Sequence, residues 1–148
     1  MRGIELHYHE DQTLCLKNLL YNVPIEKYIW SVSEDEIIID NNAYVLPREI
    51  SGSALREFLE NPSSLFIFAK LTAYPNSNHS GKEVKDYTDF STSLCEIVIL
   101  IYDGLSFEIY SKREDVLLQI IENAKKDHCI DIVIKTESSD SRIIFNVF

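Results

Sequence analysis

The chain has 148 residues, with 24 acidic and 14 basic side chains and a formal net charge of −10. That surplus of carboxylate excludes a phosphate-binding surface built from clustered Lys and Arg, so neither nucleic acid nor an anionic membrane is expected as a partner. A chain of this length buries roughly 68–70% of the surface its unfolded form exposes, so a single domain over 1–148 is expected to fold without a metal or disulfide staple.

Ile4, Leu6 and Tyr8 alternate with Glu5 and His7, the period of a half-buried strand. Glu10-Asp11-Gln12 opens a helix whose apolar stripe is Leu16, Leu19, Leu20 and Val23, ended by Pro24. Tyr28 to Val32 and Glu36 to Asp40 read as two short strands, with Ser33-Glu34-Asp35 turning the chain between them. Asp40-Asn41-Asn42 is a second turn, followed by a short strand from Ala43 to Leu46. A serine of Ser51-Gly52-Ser53 caps a short helix that runs to Glu60.

Leu65 to Tyr74 is a strong strand, and Pro75 to Lys85 a long polar loop. Tyr87 to Ser93 forms one helical turn. Glu96 to Tyr102 is almost wholly apolar, as a central strand covered on both faces would be. Asp103-Gly104 turns the chain into a returning strand, Leu105 to Tyr110. Ser111 and Glu114 fit a capping box for the next helix, which buries Val116, Leu117, Ile120, Ile121 and Ala124. Asp131 to Thr136 and Arg142 to Phe148 read as closing strands. Hairpins interleaved with about three helices predict an α+β fold with a mixed, mostly antiparallel sheet.

Cys15, Cys95 and Cys129 are odd in number, far apart and set among apolar residues, which fits reduced thiols and a cytoplasmic location. Residues 1–15 lack the apolar segment of a signal peptide, and no apolar run is long enough to span a bilayer. The four glycines are isolated, so no phosphate cradle and no cofactor is expected.

His7 and His9 lie on one face of the first strand and form the best metal-like pair, with Glu10 or Asp11 nearby. Two solvent-facing histidines at a strand end account for the same pattern, and a site needs further ligands from elsewhere. Asp86, Asp89 and Asp103 sit near strand ends, where caps and turns are the ordinary work of aspartate. Gly-x-Ser-x-Gly is absent, and sets assembled on paper from three thiols and four histidines discriminate nothing. Tyr28, Trp30 and Val32 share a strand face, either as core or as interface anchors.

Arg2-Gly3-Ile4, Tyr28-Ile29-Trp30, Phe68 to Pro75, Cys95 to Leu100 and Glu122-Asn123-Ala124-Lys125 together run through most of the chain. In them the sequence resembles a family of small bacterial cytosolic proteins known only as a domain of unknown function. The resemblance implies a single α+β domain and carries over no catalytic residue.

Two functional readings follow. The first is a non-enzymatic, immunity- or inhibitor-like binding module for a basic protein partner, with Tyr8, Trp30, Asp40, Tyr44 and Tyr74 as binding residues. The second is a small enzyme or ligand-binding protein with a pocket under the 74–85 loop. A dimer fits either reading, because Leu65 to Tyr74 left as an exposed edge would be an aggregation liability.

Overall fold

The computed structural model describes residues 1–9, 16–76, 83–142 and 144–148. Eight strands form one sheet: β1 (Gly3–His7), β2 (Ile29–Ile39), β3 (Asn42–Tyr44), β4 (Glu49–Ser51), β5 (Ser64–Tyr74), β6 (Ile97–Tyr102), β7 (Ser106–Ser111) and β8 (Asp131–Lys135). Their order is β3-β2-β5-β6-β7-β1-β8, with β4 also pairing with β2, and every ladder described is antiparallel. Among the described residues four α-helices complete the α+β fold: α1 (Leu16–Leu19), α2 (Gly52–Leu59), α3 (Tyr87–Thr92) and α4 (Glu114–Lys126).

Strand parity sorts the side chains between two cores. Ile4, Leu6, Trp30, Leu71, Ile99 and Ile109 face α1, α2 and α4 and pack on Leu19, Leu55, Leu117 and Ile120. Tyr74, Val98, Leu100 and Tyr110 face the other way and are covered by Val84, Phe90 of α3, and Phe145 and Val147 of the C-terminal segment. Both faces of β5 and β6 are therefore buried, which is why their sequences read as continuous apolar runs. β5 lies between β2 and β6, so it is no exposed edge and supplies no reason for a dimer.

Three further expectations are corrected. Residues 29–39 form one strand, not two. Glu34 takes a left-handed backbone (φ 50°), and the register against β5 shifts between Ser33 and Glu36, so the polar triplet is a bulge within a continuing ladder. Ser111 does not begin a capping box, because pairing with Ile97 holds it in β7; its hydroxyl accepts from Arg113 N (3.1 Å), and α4 starts at Glu114. Residues 142 and 144–148 pair with no strand among those described. Phe145 and Val147 instead enter the second core as a strap, and Tyr102 donates its hydroxyl hydrogen to Asn146 O.

Local chemistry explains the connections. Asp40 and Asn41 both take positive φ (49° and 66°), the requirement of a type I′ hairpin turn, and Asp103 and Gly104 repeat it between β6 and β7. Ser51 Oγ accepts from Ala54 N (3.1 Å) and caps α2. A Cβ on Gly52 would lie 1.9 Å from Ile25 O, so only glycine lets the start of α2 close on that turn. Arg56 of α2 donates to Leu20 O (3.1 Å) and Val23 O (2.6 Å), and Asn123 of α4 donates to Leu19 O (2.9 Å) and Tyr21 O (2.6 Å). These donors occupy carbonyls that α1 leaves open as it ends.

Candidate functional site

The residues singled out from sequence separate in the structure. Trp30 is fully buried, its indole N–H donating to Ile25 O (3.0 Å) and its ring edge-on to Tyr28. Tyr8 is buried against Phe107, and Tyr74 is buried in the second core. These three aromatics are core and offer no exposed binding patch, because both sheet faces are covered. Asp40 and Tyr44 do reach the surface. Tyr44 stands at the β3 edge, stacks on Phe58 (5.4 Å between centroids, 24°) and remains 43% exposed. Val45 beside it is 74% exposed.

His7 and His9 are not joined by further ligands: among the described residues no group of three His, Cys, Asp or Glu side chains could hold a metal ion. Glu10, Asp11 and His79 lie outside the described residues. His7 is engaged on both ring nitrogens, by Glu5 Oε1 (2.8 Å) and Ser106 Oγ (3.0 Å). Asp86 caps α3 by accepting from Asp89 N (2.8 Å), and Asp103 is a turn residue. Of the 74–85 loop, residues 77–82 lie outside the described residues; beside it runs a cleft of about 390 Å³ lined by Tyr74, Glu83, Val84, Asp89, Thr92 and Ser93.

The densest ionic cluster among the described residues joins strands that are distant in sequence. Lys135 Nζ lies 3.2 Å from Glu108 Oε2, 3.3 Å from Asp140 Oδ1 and 3.9 Å from Glu5 Oε2, and it donates to the Tyr110 hydroxyl (3.3 Å). Arg142 Nε donates to Glu108 Oε2. Arg2 Nη1 stands 3.6 Å from Asp140 Oδ2, and its guanidinium covers the Tyr87 ring at 3.7 Å. Burial raises the Glu108 pKa against the pull of Lys135, lowers that of Arg142, and raises that of Tyr110, to which Asp140 adds.

Three carboxylates thus meet three cations, and the set is neutral. It borders a cleft of about 360 Å³ whose lining includes Glu5, Glu108, Lys135 and Arg142. With each cation already held by protein acceptors, the cluster ties the turn after β8 and the C-terminal strap to β1 and β7. Sequence reasoning missed it. The one local signal was that Glu5 and His7 share a strand face; the rest depends on strand order.

Neither thiol among the described residues is set up as a nucleophile; Cys15 lies outside them. Cys95 is buried and its pKa is pushed up to about 12 by that burial. Cys129 is partly buried, donates to His7 O (3.2 Å), and is also raised by burial. No helix among the described residues is long and apolar enough to cross a membrane.

The chain is 24% identical over 152 residues to the uncharacterized protein YncE of Bacillus subtilis (strain 168), covering 99% of each chain. No solved structure matches it significantly. The family model described as "Protein of unknown function (DUF2691)" matches residues 1–146, nearly the whole chain, and the chain belongs to that family.

Proposed function

We propose that the protein is a non-enzymatic binding module for a basic protein partner, in the manner of an immunity or inhibitor protein, and that it binds through the β2–β3–β4 edge of the sheet. The reading rests on one observation: Tyr44 is held half-exposed on Phe58 beside exposed Val45, within a stretch rich in carboxylate. Residues 34–49 hold Glu34, Asp35, Glu36, Asp40 and Glu49 against the single base Arg48, and Arg48 is bound to Asp35 in a two-pronged pair (2.7 and 2.9 Å). A ring fixed by stacking loses little freedom on binding, and carboxylates around it steer a cationic partner.

The test is capture from native lysate with the wild type beside Tyr44→Ala and Asp40→Lys variants. A basic protein retained by the wild type, lost at least tenfold by Tyr44→Ala and released at lower salt by Asp40→Lys, supports the reading. Equal retention by all three rejects it. The 390 Å³ cleft beside the 74–85 loop favours a second reading, a ligand-binding protein. That reading requires a small polar molecule to raise the melting temperature and a Thr92→Val variant to cancel the rise.

A further inference from the structure

The C-terminal strap is seated on the sheet as a peptide ligand is seated in a groove. Its side chains alternate: Phe145 and Val147 are buried, while Ile144, Asn146 and Phe148 are exposed. Beneath it lie Tyr74, Val98, Leu100 and Tyr110, and the Phe145 ring stands 4.6 Å from that of Tyr110. No ladder among the described residues holds the segment. Its backbone is met in other ways: Phe145 N donates to Lys85 O (2.7 Å), Val147 N donates to Glu34 Oε1 (3.4 Å), and Asn146 O accepts from the Tyr102 hydroxyl (3.4 Å). At its head Arg142 donates to Glu108 Oε2 and, through Nη1, to Ile144 O (2.9 Å) and Asn146 O (3.2 Å). Alternate side chains in pockets, with polar groups meeting the main chain, is how extended peptides are recognised.

We infer that this face is a peptide-recognition groove filled by the chain's own strap, and that an arginine-led segment of a partner protein, with an aromatic and then a β-branched residue at the spacing of Arg142, Phe145 and Val147, takes the strap's place. Charge selects that partner. Without Arg142 the ionic cluster sets Glu5, Glu108 and Asp140 against only Arg2 and Lys135, so the vacated groove holds one carboxylate more than its cations. A guanidinium answers that carboxylate, and a neutral or acidic segment does not. The strap's departure breaks no strand pairing, and Trp30 stays in the first core on the opposite face. A tethered segment competes at an effective concentration on the order of millimolar, so an outside segment binds weakly until the strap is loosened. The groove is separate from the edge at Tyr44, whose ring stacks on Phe58 beside the first core, so the two sites stand or fall independently.

The experiment titrates a fluorescent peptide of residues 142–148 against the full chain and follows polarisation. A Phe145→Ala chain, whose own strap has lost its anchor, is expected to bind the peptide at least tenfold tighter than the wild type does, with Trp30 emission unchanged. Peptides carrying Phe145→Ala or Arg142→Glu are expected not to bind it, and adding Tyr44→Ala to the chain is expected to change nothing. A folded Phe145→Ala chain that binds no peptide overturns the inference, as does one that binds all three peptides alike. Should that chain not fold, native-state hydrogen exchange of the wild type decides. The Phe145 and Val147 amides are expected to exchange well before those of β6 and β7, and exchange only together with them overturns the inference.

Discussion

Cys95 shows how burial alone can set a pH limit. Its side chain is fully enclosed in the second core, with its Sγ donating to Ile97 O (3.4 Å), and its pKa rises from an ordinary 9.0 to about 12. In the unfolded chain the thiol ionises near 9, while the folded state keeps its proton. Between those values the unfolded state therefore binds fewer protons, so stability is present below pH 9 and drains as pH climbs toward 12, by about 1.4 kcal/mol per unit. Urea unfolding from pH 7 to 11 should show that decline in the wild type and a shallower one in Cys95→Ala. A residual slope persists in the variant, because burial also raises the pKa of Tyr8, Tyr74 and Tyr110. Identical slopes in the two proteins would contradict this account.

At the scale of elements, the turns and bulges carry the specificity. The hairpin turn at Asp40-Asn41 needs two left-handed residues, so Asn41→Val is expected to lose about 1–2 kcal/mol, while Asn41→Gly stays neutral or gains a few tenths. Equal denaturation midpoints for the two variants would show that the turn is not under this constraint. Such turns were legible in sequence because Asn, Asp and Gly announce them. The bulge at Glu34 was not. Ser33-Glu34-Asp35 has the composition of a loop, and only the long partner β5, which pairs on both sides of it, keeps the strand running. Phe145 and Val147 alternate as strand residues do, yet they form a strap, since alternation reports which side chains are buried and says nothing of whether the backbone finds a partner. The aromatic residues fail for a related reason. Parity put Trp30 and Tyr74 on definite faces, but that both faces are roofed depends on the whole topology.

For the molecule as a whole, the ionic cluster and the strap act together. Arg142 anchors the segment to Glu108, and Phe145 and Val147 then close over Tyr110 and Phe90. Deleting residues 144–148 removes two buried apolar side chains, worth about 3–6 kcal/mol by area, and uncovers the rings beneath them. The shortened chain is expected to melt well below the full one and to bind a hydrophobic dye. An unshifted melting temperature would mean the strap is dispensable.

The position of β1 has a consequence for how the protein is made. β1 is made before the other described strands yet sits between β7 and β8, so neither of its ladders can form until most of the sheet has been made. β3 and β4 can fold back on one side of β2 before β5 pairs with its other side, and β5, β6 and β7 then follow as a meander. Ile4 and Leu6 must meanwhile stay in solvent or in the care of a chaperone until β7, and then β8, has been made. Maturation is therefore completed by inserting an early strand into a sheet already formed.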